Sequence, residues 1–327
     1  MQRHGHPSRR GILAGAAALA AAVALPRSAA RSATPAPGTR RIPSTGAEIP
    51  AVGLGTWITF NVGSDPALRA ECVAVMEAFF AAGGGVIDSS PMYGSSQPVV
   101  GHGLQALGHP QGLYAADKVW TSSGEEGPSQ IARSRAHWTV PRFDLLQVHN
   151  LRAWEAHLPT LQEMKADGRL RHVGITTSHG RRHDAFEQVM RGHDLDCVQL
   201  TYNIVDRAAE ARLLPLAQDR GMAVIVNRPF RQGALIRQLA GAPLPPGAAE
   251  VGAGSWAQVL LKFILSHPAV TVAIPATRVV DHLRENKQAA LGAMPDAAMR
   301  ARWAAHVVRS LGCICMIAWT NYARGAP

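Results

Sequence analysis

Cysteine is scarce in this chain, with only Cys72, Cys197, Cys313 and Cys315 among 327 residues. None belongs to a C-x-x-C pair. Cys313 and Cys315 stand one residue apart, a spacing that strains a mutual disulfide. A cysteine-stapled scaffold and a thiolate metal centre are therefore not expected. Cys72 and Cys197 fall in apolar periodic segments and read as small core residues. The 14 histidines are dispersed, so no metal site is expected from them either. Aromatic residues make up 6% of the chain against 31 glycines. That balance favours an α/β protein with many tight turns over a sandwich. Charged residues are few as well, at 17%, and the formal charge is +10. Part of that excess is Arg3, Arg9, Arg10 and Arg27, at the front of the chain, where residues 1–30 hold no acid. The other positive residues are scattered, with no Lys/Arg run interleaved with aromatics, so no nucleic-acid partner is expected.

What is present begins with an address. In "SRRGILAGAAALAAAVALPRSAA" a positive start at Ser8-Arg9-Arg10 precedes an uncharged apolar run from Gly11 to Leu25, then the small residues Ser28-Ala29-Ala30. This is the pattern of an export signal over residues 1–30, cleaved near Ala30. The run is too short and too rich in alanine to span a membrane, so no stable span is expected after processing. The paired arginines resemble a twin-arginine signal. The implied partner is the twin-arginine export machinery, and the implied location is the bacterial periplasm. That route carries folded proteins, often with a cofactor already bound. Residues 31–39 read as a Pro/Ala linker outside the fold.

From residue 40 the chain alternates apolar runs with amphipathic stretches. The runs cover 51–57, 85–88, 114–120, 144–150, 171–177, 196–202, 223–227 and 271–277. They are nearly continuous in apolar residues, as strands buried on both faces are. Helical spacing of apolar positions marks 67–82, 160–167, 182–191, 208–220, 256–266 and 281–290. Eight such alternations predict an α/β fold of the (β/α)8 TIM-barrel kind over residues 40–312. The segment "RRIPSTGAEIPAVG" carries turn residues between two short extended pieces and predicts an N-terminal β-hairpin that plugs one end. The tail, residues 313–327, is apolar and then polar, and has no assigned role.

In this architecture functional side chains collect at the carboxyl ends of the strands. Those ends carry Asp88 with Tyr93 just beyond, Lys118, His149, Thr176 and Thr177, Gln199, Asn227 with Arg228, and Thr277 with Arg278. A buried lysine and aspartate on neighbouring strands have to pair. A tyrosine beside that lysine is expected to have its pKa lowered from roughly 10, which suits it to give a proton near neutral pH. A histidine alongside steers a carbonyl oxygen. Together the four protonate an oxyanion, which is half of a carbonyl reduction. Hydride is the other half, and no side chain supplies it, so a nicotinamide cofactor is required.

These residues carry a resemblance to the aldo-keto reductase superfamily, running from about Arg41 to Gly312. "IDSSPMYGSSQPVVGHGL" resembles the family's Asp–x4–Tyr–Gly signature, "ADKVW" its lysine segment and "LLQVHN" its histidine segment. The resemblance implies Tyr93 as general acid, Lys118 tuning it, Asp88 holding the lysine and His149 orienting the carbonyl. It further implies that Thr176, Thr177 and Gln199 hold the nicotinamide carboxamide. Asn227, Arg228 and Phe230 then lie where an aromatic often stacks on the ring. Thr277, Arg278, His282, Glu285 and Asn286 lie on the adenosine-phosphate segment. His282 stands where many members have an arginine for the 2′-phosphate, so NADP(H) is expected first and NAD(H) second. The sequence departs from the pattern at Gln97, where the signature usually ends in Glu, and at Arg135 and Trp138, where leucines are usual.

Trp57 and Trp154 are expected to line an open, short-looped mouth that admits a small carbonyl substrate. The alternative is a cofactor-binding regulatory or partner subunit on the same barrel with little turnover. Hydrolytic chemistry finds neither metal ligands nor paired carboxylates here. Export adds one further expectation. Because soluble nicotinamide nucleotides are scarce outside the cytoplasm, the cofactor is expected to be held tightly and recycled in place, by a second substrate or a redox partner.

Overall fold

A computed structural model describes residues 38–323, with side chains as far as Gly312. The export signal and most of the expected linker lie outside the described residues. The hairpin is present: β1 (Thr39–Arg41) pairs antiparallel with β2 (Glu48–Pro50), with Arg40 opposite Ile49. The elements that follow are β3 (Leu54–Gly55), α1 (Pro66–Ala81), β4 (Gly85–Asp88), α2 (Ser96–Ala106), β5 (Leu113–Val119) and α3 (Glu126–Trp138). Next come β6 (Leu145–Val148), α4 (Trp154–Ala166), β7 (His172–Thr176), α5 (His183–Gly192), β8 (Cys197–Thr201) and α6 (Leu213–Asp219). The chain ends with β9 (Ala223–Asn227), α7 (Ala234–Leu239), α8 (Trp256–Leu265), β10 (Val270–Ala273), α9 (Val280–Gln288) and α10 (Ala297–Ala323).

Strands β3 to β10 are all parallel, each beside the next. Bridges from Val52 to Ala273 and from Gly55 to Ala276 join the last strand to the first. The eight-stranded barrel expected from the sequence is therefore the fold. Closure brings backbones so near that a Cβ on Gly55 would lie 2.8 Å from the Ile274 carbonyl oxygen, so a larger residue there would force the seam apart.

Two apolar layers follow from the alternation of strand side chains. Inside the barrel Val86, Tyr114, Leu145, Ile225 and Val272 meet Ile42 and Ile49, which the hairpin pushes into the open end. Each of these isoleucines is at most 5% exposed, and burial of this kind contributes about 1.5–3 kcal/mol apiece as an upper figure. The hairpin tip is tied down by polar contacts. Ser44 Oγ donates to Asp196 at 2.7 Å, and Thr45 Oγ1 meets His172 Nε2 at 3.0 Å. Asp196 also takes Lys165 and the Val173 amide. Outside the sheet, the helices bury their apolar stripes. In α1 these are Cys72, Val75, Met76 and Phe79, and Asp65 caps its start by accepting from the Leu68 amide at 3.0 Å.

Several elements differ from their sequence reading. The helix expected from residue 160 begins at Trp154, because Trp154, His157, Leu158 and Leu161 already form one inward stripe and Pro159 sits in the early turns. The segment 208–220 splits into a 3-10 turn at Ala208–Glu210 and α6. Helix α2, which carries Pro98, Gly101 and Gly103, had no helical signature. Gly101 is needed because α3 ends against it, where any Cβ would collide with the His137 carbonyl. Trp138 replaces an expected leucine and is fully buried, edge-on to Phe143 at 5.6 Å. Helix α10 continues through position 312 to Ala323. Arg300 fastens it by donating to the Phe263 carbonyl, Ser266, Tyr202 and Glu210. The side chains of Cys313 and Cys315 lie outside those described.

Candidate active site

Strand register brings the four predicted catalytic residues to one end of the barrel. Asp88 ends β4, Lys118 is next to last in β5, and His149 follows β6 directly. Lys118 is 1% exposed, and its ammonium donates to Asp88 Oδ2 at 2.6 Å and to the Ser89 carbonyl at 2.7 Å. It also stands 5.1 Å from the centre of the Tyr93 ring. Asp88 uses its other oxygen as well, accepting from Gln199 Nε2 at 2.8 Å. The pair is thus enclosed, with both carboxylate oxygens engaged.

Tyr93 and His149 meet edge to face, with ring centres 5.7 Å apart. Burial holds the His149 imidazole well below its ordinary pKa, and Lys118 adds to that effect, so the ring is neutral at neutral pH. Its Nδ1 lies 2.8 Å from Ser90 Oγ, which also accepts from the Met92 amide. In the tautomer in which the Ser90 hydroxyl donates to Nδ1, the ring proton sits on Nε2, where it can be donated to a carbonyl oxygen. The expected lowering of the Tyr93 pKa is not found. Burial pushes the phenol up to about 12, outweighing Lys118, whose effect is opposed in turn by Asp88 and Asp117. The lysine limits the rise instead of reversing it. Tyr93 therefore keeps its proton at neutral pH as an acid in reserve.

Above this floor lies a cavity of about 300 Å³. Tyr93, His149, Thr176, Gln199, Asn227, Arg228, Phe230 and Trp57 all line it. The sequence of residues 51–305 matches the profile of the Aldo/keto reductase family. The chain belongs to the aldo/keto reductase family. Among its relatives is the methylglyoxal reductase YeaE of Escherichia coli, 28% identical over 243 residues that cover 73% of this chain and 84% of that one. An NADH-specific methylglyoxal reductase of the same organism is 26% identical, covering 64% and 73%. An aldo/keto reductase of Klebsiella pneumoniae, solved with NADP and acetate, superposes with a TM-score of 0.67. It is 24% identical and covers 82% of this chain and 94% of its own, a likeness of fold.

The amide groups around the cavity are largely engaged with other groups of the protein. Gln199, expected to face a carboxamide, spends its NH2 on Asp88, while its oxygen lies 3.4 Å from Asn227 Nδ2. Asn227 in turn donates to the Thr177 carbonyl and accepts from Thr201. Thr177 is buried away from the cavity, its hydroxyl donating to the Arg181 carbonyl. In its place Ser178 and Asn150 reach the cavity wall, hydrogen-bonded to each other at 3.1 Å. Neither residue was singled out by the sequence reading, nor was Ser90. Ser90 lies within the signature itself, but its contact with His149 joins residues 59 apart in the chain and has no local signal.

Trp154 is not brought to the mouth; it packs edge-on against His193, with ring centres 5.1 Å apart. Thr277, Arg278, His282, Glu285 and Asn286 follow β10 or lie on α9, beyond the cavity wall. Thr277 caps the Val279 amide, Arg278 pairs with Glu71 at 3.1 Å, and His282 is exposed. Among the described residues, nine of the eleven non-glycine residues with positive φ, all but His109 and Thr139, lie in loops that follow strands at this same end. Such conformations concentrate where side chains must be aimed.

The departure at Gln97 is explained by Asp117. This aspartate alternates to the outer face of β5, opposite Lys118, and is fully buried. Gln97 Nε2 donates to it at 2.6 Å and to Ser134 at 2.9 Å, so the carboxylate sits on the strand and the amide on the helix. Burial raises the Asp117 pKa to about 7, against the lowering effects of Lys118 and Gln97. Because the folded value exceeds the unfolded one, the proton-linked stability is full below about pH 4 and is lost as pH rises through about 7. The Asp117→Asn protein is expected to lack this decline. Denaturant midpoints at about pH 5 and about pH 8 measure it, and an equal drop in both proteins would contradict the assignment.

Proposed function

We propose that this protein is an NADP(H)-dependent oxidoreductase of small aldehydes or ketones and the corresponding alcohols, with Tyr93 as general acid. The observation that carries this reading is the enclosed Lys118–Asp88 pair beneath a protonated Tyr93 and a neutral His149, at the floor of one cavity. The donor set suits a nicotinamide nucleotide. Neutral amides and hydroxyls of Asn150, Thr176, Ser178 and Asn227 surround the cavity, and the cationic Arg228 stands farther along its wall. Those residues, with Gln199 behind them and Phe230 beside them, would hold the nicotinamide half. Thr277, Arg278, His282, Glu285 and Asn286 would hold the adenosine half. When bound, the nucleotide supplies or accepts the hydride. The chain's own part is to bind the carbonyl oxygen between Tyr93 and the Nε2 proton of His149, to deliver the phenolic proton, and to keep Lys118 charged beneath it.

NADPH and NADH titrated in parallel, followed by tryptophan fluorescence and then by turnover of a small aldehyde panel, test the reading. Binding with NADPH preferred and aldehyde reduced is the expected result. Binding without turnover would favour the regulatory-subunit alternative, and binding of neither nucleotide would overturn the proposal.

The protein is also proposed to be exported through the twin-arginine route, on the strength of Arg9-Arg10 ahead of the Gly11–Leu25 run. Its cofactor is then retained and recycled in place by a second substrate or a redox partner. Recovery of nucleotide-free protein from the periplasm would sink the retention idea. No helix among the described residues is long and apolar enough to cross a membrane.

A further inference from the structure

A second cavity, of about 400 Å³, adjoins the first, and His179 and Arg228 belong to the walls of both. Its other lining includes Thr201, Asp206, Arg207, Arg231 and His183. Three guanidinium groups and two imidazoles thus face a space that has a single carboxylate in its wall. Two of the cations are already matched, Arg207 by Glu210 at 2.7 Å and Arg231 by Asp206 at 3.2 Å. Arg228 has no carboxylate partner among the described residues. Its side chain donates instead to His179 Nε2 at 2.6 Å, a neutral acceptor. Burial together with Arg231 and Arg181 lowers the pKa of Arg228, and Asp206 only partly opposes them.

Two further features point the same way. His183 Nε2 is buried with no hydrogen-bond partner. Arg228 and Arg231 both hold left-handed backbone, with φ of 53° and 48°, in one short loop, and both belong to the wall of this cavity. The unmatched charge is also wired to the reaction cavity. Since Nε2 of His179 accepts from Arg228, its proton is on Nδ1, which lies 3.0 Å from Ser178 Oγ. Ser178 then donates to Asn150 Oδ1 at 3.1 Å, and Asn150 follows His149 directly.

We propose that this second cavity is an anion-binding subsite, which takes a phosphate or carboxylate group on Arg228 and Arg231 with His183 Nε2 as a third contact. The assignment rests on the reductase reading at Arg228, which also stands at the wall of the nucleotide cavity, and goes beyond it because none of its groups belongs to the proton-transfer set. Two sources supply such a group: an anionic tail on the carbonyl substrate, or a phosphate of the nucleotide.

Inorganic phosphate titrated calorimetrically into the full chain tests the site without any turnover. One equivalent is expected to bind, with affinity reduced about tenfold or more in Arg231→Ala, as loss of one charge-assisted hydrogen bond implies. His183→Gln is the second variant, checked for folding by circular dichroism, and is expected to weaken phosphate in the same direction. Unchanged phosphate affinity in a folded variant, or no binding to the parent, overturns the subsite. Kinetics with 4-carboxybenzaldehyde and 4-nitrobenzaldehyde then separate the sources. A KM increase in Arg231→Ala confined to the carboxylated aldehyde assigns the subsite to the substrate, and one confined to NADPH assigns it to the nucleotide. Failure of the reductase reading would appear separately, as no turnover of either aldehyde by the parent protein.

Discussion

The Tyr93→Phe protein is expected to bind nucleotide as the parent does and to reduce aldehydes about 10²–10⁴-fold more slowly, the usual worth of a positioned general acid. The reasoning rests on where the proton is. Burial raises the Tyr93 phenol to about 12, so it is protonated across the neutral range and ready to donate. Phenylalanine keeps the ring that stands 6.5 Å from Trp57 and 5.7 Å from His149, and removes only the hydroxyl. Loss of kcat with little change in KM would identify a group that acts in the transition state. Equal losses in binding and rate would instead make Tyr93 a packing residue. The raised pKa also predicts that reduction by the parent protein shows no loss of the Tyr93 proton between about pH 6 and 9. A fall in reduction rate with an apparent pKa near 7 that survives in Asp117→Asn would contradict this.

Asp88→Asn is expected to be the most destabilising single change in the site, by about 3–5 kcal/mol. It leaves the Lys118 charge without its carboxylate partner, held by the Ser89 carbonyl, the Tyr93 ring and a neutral amide oxygen, in a place where its side chain has no exposure to water. Gln199 would also lose its charged acceptor. The double variant Asp88→Asn/Lys118→Met is expected to recover part of that loss, because no unpaired charge remains. Denaturant unfolding of the four proteins of this cycle measures the coupling, and additive effects would mean that the pair carries little stability. Activity should be low in the single and double variants alike, since each removes the charge relation beneath Tyr93. Stability and activity therefore separate in the double variant, which a purely structural pair would not do.

The resemblance between sequence reading and structure is uneven for identifiable reasons. The barrel was legible because eight apolar runs alternate with amphipathic stretches, a pattern set by burial on both faces of a parallel sheet. Helix α2 was missed because Gly101 and Gly103 obscure its helical pattern, and their function appears only when α1 and α3 pack against them. Trp154 was misplaced because a tryptophan at the start of a helix has an apolar face to bury wherever one is offered, and His193 offers it.

By itself the sequence determined the order of the strands and the identity of the residues at their carboxyl ends. Asp88, Lys118 and His149 end neighbouring strands, and the two-residue period of a strand sends Lys118 inward and Asp117 outward. What the tertiary structure alone decided is how the shared hydrogen bonds and charges are divided. It gave Gln199 to Asp88, set Asn150 and Ser178 at the wall in place of Thr177, and left Arg228 facing a neutral histidine. It also reversed the expected direction of the Tyr93 shift. The physical reason is the same in each case. Residue type and spacing specify which groups reach the mouth, whereas desolvation and donor–acceptor matching depend on every neighbour that closes around them in three dimensions.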